Sequence, residues 1–249
     1  MSRQTTVFEY VPFLLSLSAS GQNYFIEGGQ AVNFWAEYYT ALGVGSDLEK
    51  LKPFTSEDCD LWVSHAAWNY LKIKEKPHLI CSNSPIDGQL GILTLGTESN
   101  LVIDLLANVY GFSTRDPKVH IGLMRRAPNV RGIFILDPVC LFRSKAACWH
   151  GLDQSGRQDE KHFRILATLL PAYLAEMLSL VREIPQNDHE ICERKMILEL
   201  KLLLKYCQFP DVKSALKKTN TEVFDLLPID LMADSKLPKI LKFLSSLPK

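Results

Sequence analysis

Two aspartates lie one residue apart in the segment Thr55–Trp62, directly before an apolar run. Asp58 and Asp60 flank a cysteine, and the sequence Leu-Trp-Val follows. Side chains alternate between the two faces of a β-strand, so a strand here places both carboxylates on one face and the cysteine on the other, toward a core. Neighbouring carboxylates repel each other unless a cation neutralises them. The segment therefore predicts a strand that carries a metal site.

A third carboxylate lies in a run that is otherwise apolar. Asp104 is the only charged residue of Leu101–Leu106. An unpaired charge on a buried strand is costly, so Asp104 needs either a partner or a cation. Asp104 therefore caps a strand end, pairs with an Arg or Lys, or serves as a third ligand, because a site for two metal ions about 3.5–4 Å apart needs ligands from more than one strand.

Hydrophobic periodicity divides the chain into two regions. Up to about residue 136, short apolar runs alternate with helical patterns, and the runs at 91–95 and 101–106 predict a β-hairpin. Helical patterns alone follow Asp137, the predicted cap of a helix that begins at Pro138. The sequence thus predicts an α+β fold, with a small mixed sheet and flanking helices in residues 1–136 and a helical bundle in residues 137–249.

The charge balance and the cysteines exclude several classes of protein. Lys plus Arg and Asp plus Glu each number 28, so no global field attracts nucleic acid or an anionic membrane. The 6 cysteines are scattered, which is typical of reduced thiols in a cytosolic protein. Cys140, Cys148 and His150 do not have the usual spacing of zinc ligands. No apolar run approaches the roughly 20 residues of a membrane-spanning helix, and no signal peptide is evident. We therefore expect a cytoplasmic protein with no membrane partner.

The ordered set Gly28-Gly29, Asp58-Cys-Asp60 and Asp104 resembles the polymerase-β-type nucleotidyltransferase superfamily. That superfamily has a Gly-Gly or Gly-Ser turn, an acidic pair around one apolar residue, and a third acid on a neighbouring strand. The chain is more closely similar to bacterial nucleotidyltransferase-like proteins of the AbiEii toxin type. The similarity extends over about residues 20–165 and includes the segments 28–33, 53–60, 109–111, 142–145 and 157–162.

The resemblance implies a metal-dependent site. Asp58 and Asp60 would hold one or two Mg²⁺ or Mn²⁺ ions that bridge a nucleoside triphosphate, and Asp104 would be a further ligand that helps activate the attacking hydroxyl. Gly28 and Gly29 would let backbone N–H groups approach the phosphates at a helix N-terminus. The expected cofactor is thus Mg²⁺ or Mn²⁺, and the expected substrate is a nucleoside triphosphate.

Two residues of the helical region complete the implied site. Lys145 resembles the lysine of the third motif in the AbiEii group and would neutralise phosphate charge. Asp159 matches the acid of the fourth motif and would position Lys145 or the acceptor. An ordinary ion pair on a helix surface remains the alternative explanation for both residues.

Two functions follow as hypotheses. The first is a nucleotidyltransferase that moves a nucleoside monophosphate from a nucleoside triphosphate to an acceptor hydroxyl of RNA, protein or a small molecule. The alternative is a binding module with the same fold that holds a nucleotide or a partner, as in a toxin–antitoxin or phage-defence pair. A helical interaction protein, acting through residues after about 137, is a third hypothesis.

Overall fold

The described part of the chain forms a mixed sheet of seven strands, most of them short apolar runs between turn residues. The computed structural model describes residues 3–83, 88–96, 101–112, 124–126, 132–183 and 186–247. The order of the strands across the sheet is β3-β4-β5-β2-β1-β7-β6. Their bounds are β1 Tyr24–Ile26, β2 Cys59–Val63, β3 Leu79–Cys81, β4 Gln89–Leu95, β5 Leu101–Leu106, β6 Met124–Arg126 and β7 Phe134–Leu136.

The register of the central strands places two aspartates side by side. β2 and β5 run parallel, and Asp60 of β2 pairs with Asp104 of β5. β1 runs antiparallel to β2 on its other side. β4 and β5 form the predicted antiparallel hairpin, whose turn at 97–100 lies outside the described residues. The predicted acidic strand is confirmed with a later start, because Asp58 directly precedes β2.

The helices follow the apolar periodicity closely. One helix begins at Gly28, in the double glycine, and Asp137 caps the helix that begins at Pro138 by accepting from the Cys140 backbone N–H at 3.0 Å. The predicted α+β class, a small mixed sheet with flanking helices and a helical C-terminal region, is confirmed. The α-helices are α1 Val11–Ala19, α2 Gly28–Ala41, α3 Ser46–Glu49, α4 His65–Lys74, α5 Pro138–Gly151, α6 Asp159–Glu183, α7 Gln186–Tyr206, α8 Pro210–Thr219, α9 Ile229–Ala233 and α10 Pro238–Ser245. Short 3-10 helices cover Val7–Tyr10, Lys76–His78 and Val223–Leu226.

Helix α2 joins the sheet to the helical region. The indole N–H of Trp35 donates to the Leu136 carbonyl at 2.9 Å. The hydroxyls of Tyr38 and Tyr39 donate to the Glu176 carboxylate on α6 at 2.8 and 2.6 Å. Buried residues of both regions belong to one hydrophobic cluster. The division at residue 136 stays a prediction, and the two regions pack against each other over this shared core.

Helix α6 is the longest helix of the helical region. We expected no apolar run of membrane-spanning length, yet within the described residues α6 is long and apolar enough to cross a membrane by length and composition alone. A core helix of a soluble protein passes the same test. Half of its most apolar window is buried in the protein, and its first turns carry the buried Asp159 and His162. This burial is typical of a core helix.

Candidate metal centre

Strands β2 and β5 gather three carboxylates at one place in the sheet. Asp60 and Asp104 lie in register on the parallel strands, and Asp58 immediately precedes β2. One carboxylate oxygen of each aspartate lies within 4.8 Å of the other two. In the described part of the chain this is the one such group, so Cys140 and Cys148 form no metal cluster with neighbouring ligands there. The sequence-predicted acids therefore meet as three potential ligands.

Burial and mutual repulsion disfavour the charged forms of these acids. Burial, together with the charge of Asp58, raises the pKa of Asp60 to about 7, although Lys145 opposes the shift. Burial and the charge of Asp58 also raise the pKa of Asp104 to about 6, against a hydrogen bond with Gln89. Oxygen ligands of this kind suit a hard divalent cation, whose charge removes the repulsion. The three aspartates can hold such a cation.

The surroundings of Asp104 decide between the earlier alternatives. Asp104 lies inside β5 rather than at its end, so it does not cap the strand. Among the described residues no Arg or Lys forms an ion pair with it. Its neighbour across the sheet is instead another acid, Asp60. The cluster with Asp58 and Asp60 therefore explains the charge on this strand better than a cap does, and it supports the third alternative, a metal ligand.

The predicted glycine turn packs directly against the acidic cluster. Gly28 begins α2 with φ +66°, and a Cβ at this position would lie 1.7 Å from Oδ2 of Asp60. The backbone N–H of Glu27 donates to the Asp60 carbonyl at 2.9 Å. A Cβ on Gly29 would lie 2.8 Å from Oγ of Ser56. Both glycines thus allow the N-terminus of α2 to approach the acids, and their role in phosphate binding stays a prediction.

Helices α5 and α6 and the segment between them contribute a second charged cluster beside the acids. Nζ of Lys145 lies 2.9 Å from Oδ1 of Asp159, and Nε of Arg157 lies 2.6 Å from Oδ2 of the same carboxylate. The side chains of Lys145 and Asp159 are only 6% and 2% exposed, so the alternative of a helix-surface pair is wrong. Burial acts to raise the pKa of Asp159, but Lys145 and Arg157 hold that pKa below its ordinary value.

One cavity of about 220 Å³ brings the two clusters together. Six of the seven predicted site residues line it, and the seventh, Gly28, packs against the side chain of Asp60. The lining residues predicted from the sequence are Gly29, Asp58, Asp60, Asp104, Lys145 and Asp159. The cavity thus has Asp58, Asp60 and Asp104 on one part of its wall and Lys145 and Arg157 on another.

Sequence reasoning missed several residues of the same cavity. Ser56, Arg157 and His162 line it, and Glu27 lies buried beside Asp60. Burial and the Asp60 charge raise the pKa of Glu27 well above its ordinary value. Arg157 and His162 belong to a segment that carried the family resemblance, but no pattern assigned them a role. The signal available for Glu27 was its position before the double glycine.

Comparisons with known proteins add little to this geometry. No protein-family model matches the chain, and no curated protein sequence matches it. A crystal structure of an antigenic nucleotidyltransferase-like protein from Paracoccidioides brasiliensis is similar over 92% of this chain and 91% of that chain. The two share 14% sequence identity, with a TM-score of 0.38. So low a TM-score does not establish a common fold, and the functional conclusion depends on the site itself.

The fold and the site define an α+β protein with a candidate divalent-cation centre. Asp60 and Asp104 lie on two parallel strands, with Asp58 directly before one of them, and the cations are Lys145 on α5 and Arg157 just before α6.

Proposed function

We propose that this chain is a divalent-metal-dependent nucleotidyltransferase, which moves a nucleoside monophosphate from a nucleoside triphosphate to an acceptor hydroxyl. The observation that carries the proposal is the register of Asp60 and Asp104 on parallel strands, with Asp58 close to both. A cluster of three acids next to a cationic wall matches what phosphoryl chemistry needs, since the reaction depends on positioning and on neutralising charge.

The acidic cluster would hold the metal. Asp58, Asp60 and Asp104 fit Mg²⁺ or Mn²⁺, because both ions prefer carboxylate oxygens. A divalent cation bound there would neutralise phosphate charge and act as a Lewis acid toward a phosphoryl oxygen. The protein's own side chains would hold the phosphates and accept the proton of the acceptor hydroxyl.

The proposed transfer is a single displacement at the α-phosphorus. The acceptor oxygen forms a bond to the α-phosphorus, and the bond from that phosphorus to the bridging α–β oxygen breaks. Pyrophosphate leaves with the bonding electron pair, and the hydroxyl proton passes to the carboxylate of Asp104. Asp104 lies in register with Asp60, beside the proposed metal, where its carboxylate can accept this proton.

The cationic wall would hold the phosphates. Lys145 is kept charged and in place by its ion pair with Asp159, which is the positioning role expected for that acid. Gly29 lines the cavity at the first turn of α2, where the helix dipole favours an anion. The finer assignments, to the AbiEii type, to a bacterial source and to the cytoplasm, stay predictions.

The test measures transfer and binding in parallel. The protein is incubated with each labelled nucleoside triphosphate, Mg²⁺ or Mn²⁺, and total cellular RNA or protein as acceptor. We expect label transfer by the wild type and a loss of at least about hundredfold in Asp58→Ala and Asp60→Ala. Asp47→Ala is the matched control, because Asp47 is exposed and lies outside this cavity.

Three outcomes separate the hypotheses. Transfer that survives both substitutions unchanged rules out the proposed site. Tight binding of a nucleoside triphosphate with Mg²⁺, without transfer to any acceptor, favours the binding module. Calorimetry that detects no binding of either metal or nucleotide contradicts both.

A further inference from the structure

The imidazole of His162 lies in the wall of the cavity without a hydrogen-bond partner. His162 is on the second turn of α6 and is only 4% exposed. Within the described part of the chain, neither of its ring nitrogens forms a hydrogen bond. Most buried polar groups in proteins do have a partner, and leaving one unmade costs free energy. Both ring nitrogens are therefore available to a ligand, because no group in the described part of the chain bonds to them.

The ring also lies at the anion-favouring end of a helix. Its Cε1 atom is 3.1 Å from the place that a Cβ on Gly29 would occupy, so it packs against the first turn of α2. α2 has 14 residues, and the backbone N–H groups of its first turn have no partners inside the helix. A helix N-terminus of this kind favours an anion through its free donors and its dipole.

Two cations near the ring contact the same carboxylate. Lys145 and Arg157 both contact the carboxylate of Asp159, so two cations and one carboxylate lie on this side of the cavity. Burial, followed by the charge of Lys145, lowers the pKa of His162 well below its ordinary value. A neutral imidazole has one N–H donor and one acceptor nitrogen. His162 thus offers a donor in a corner that attracts anions.

We propose that His162 donates a hydrogen bond to a phosphate oxygen of a polyphosphate chain that binds between the first turn of α2 and Lys145. The proposal rests on the proposed function, because it deepens the same site by naming a residue that recognises the polyphosphate part of the substrate. His162 is a binding residue in this account and takes no part in the bond changes.

Base-free polyphosphates are the probes that test the proposal. Calorimetry measures the affinity of the full chain for inorganic pyrophosphate and inorganic tripolyphosphate with Mg²⁺. Leucine fills the volume of the ring but has no donor, so His162→Leu is expected to weaken both affinities by about tenfold or more, as for a hydrogen bond to a charged group. Glutamine has a neutral N–H donor, so His162→Gln is expected to recover most of the loss.

A matched control and a second readout separate binding from folding. His65→Leu changes an exposed histidine outside this cavity and is expected to leave both affinities unchanged. Nitrogen-15 NMR of the imidazole rings identifies the His162 signals as those missing from His162→Gln. We expect these signals to shift when pyrophosphate is added to the wild type, while those of His65 stay in place.

The outcomes distinguish this inference from the proposed function. Mn²⁺ binding, followed by electron paramagnetic resonance, reports on the three aspartates. Mn²⁺ binding that persists in His162→Leu, together with weakened pyrophosphate binding, supports the inference. An unchanged pyrophosphate affinity in His162→Leu overturns it and leaves the metal site standing. If His162→Leu does not fold, the NMR experiment on the wild type decides. His162 ring signals that do not shift when pyrophosphate is added overturn the inference as well. Absence of Mn²⁺ binding in the wild type overturns the proposed function.

Discussion

The cavity contains two charged clusters that solve the problem of buried charge in different ways. In the helical cluster, the single carboxylate of Asp159 contacts two cations, Lys145 and Arg157, and its pKa is lowered. In the sheet cluster, Asp60 and Asp104 lie beside each other and their pKa values are raised to about 7 and about 6. The first cluster is compensated within the protein, and the second is not.

The difference indicates which cluster requires a ligand. A buried charge is tolerated when a partner and hydrogen bonds satisfy it, and it is costly when it stands alone. The helical cluster has its partners within the protein. Among the described residues the acids of the sheet form no ion pair, and Lys145 offsets only part of the rise in the pKa of Asp60. This is the physical basis for the proposed metal centre.

The largest expected effect tests the compensated cluster. Asp159→Ala leaves Lys145 buried without its partner, and we expect the free energy of unfolding to fall by about 3–5 kcal/mol. Urea denaturation measures the change. The control is Glu160→Ala, which breaks the neighbouring but exposed pair with Arg164, worth about 1 kcal/mol or less. Equal losses of unfolding free energy in the two variants would show that the buried pair stabilises the fold no more than the exposed pair does.

The second effect tests the uncompensated cluster. Asp60→Asn removes a charged ligand but keeps the size of the side chain, so Mn²⁺ affinity is expected to fall by about hundredfold or more, beyond the 10–100-fold typical of outer-shell changes. The metal-free protein is expected to lose no stability, because the substitution removes a repulsion. Asp47→Asn provides the control. Mn²⁺ titrations that coincide for wild type and Asp60→Asn would contradict the site.

The third effect tests the close approach between the glycine turn and the acids. A side chain at Gly28 meets both a positive φ and the carboxylate of Asp60, whereas Gly21, with φ +74°, has nothing within 4 Å of its added Cβ. Gly21→Ala is expected to cost about 1–2 kcal/mol from the backbone alone. Gly28→Ala is expected to cost more and to weaken Mn²⁺ binding as well. Thermal unfolding with and without Mn²⁺ measures both quantities, and equal behaviour of the two variants would refute the contact.

The smallest effect is a pH dependence of stability. In the folded protein Asp60 holds its proton up to about pH 7, and its ordinary pKa is 3.8. Between these values the folded state binds more protons than the unfolded state, so stability falls as the pH rises through about 7. We expect the metal-free protein to melt at a lower temperature at pH 8 than at pH 6.5. His162, whose pKa is lowered, opposes this trend only below its ordinary pKa of 6.5.

Two comparisons check the origin of this pH dependence. Asp60→Asn is expected to show a smaller change in melting temperature between the two pH values, since one of the titrating acids is gone. Added Mg²⁺ is expected to stabilise the wild type more at pH 8 than at pH 6.5, because it binds the ionised carboxylates. A melting temperature that rises with pH in the wild type and in Asp60→Asn alike would contradict the raised pKa of Asp60 as the cause of the pH dependence.

Much of the fold was accessible from periodicity. The hairpin of β4 and β5, the helix α2 and the cap at Asp137 all follow from patterns within about a dozen residues. The start of β2 was placed too early, because alternation does not show where the ladder of hydrogen bonds begins. Membrane-spanning length was misjudged for α6, whose apolar residues are spread over a long helix rather than a continuous run.

Part of the site could also be predicted from local sequence patterns. Asp58, Asp60 and Asp104 stood out as charges in apolar surroundings, which is a local signal. Lys145 and Asp159 came only from the family resemblance, and the alternative of a surface pair was resolved by their burial. His162 had no signal of its own, since a histidine in a helix looks the same whether its ring faces solvent or a cavity.

The sequence by itself determined which residues share a face of a strand or a helix, because alternation and the helical repeat are local properties of the chain. It thereby determined that Asp58 and Asp60 lie together next to a core. Only the tertiary structure decided that Asp104 lies in register with Asp60 and that α6 brings Asp159 and His162 to the same cavity. The physical reason is that register and helix packing depend on contacts between residues far apart in the chain, which no local pattern encodes.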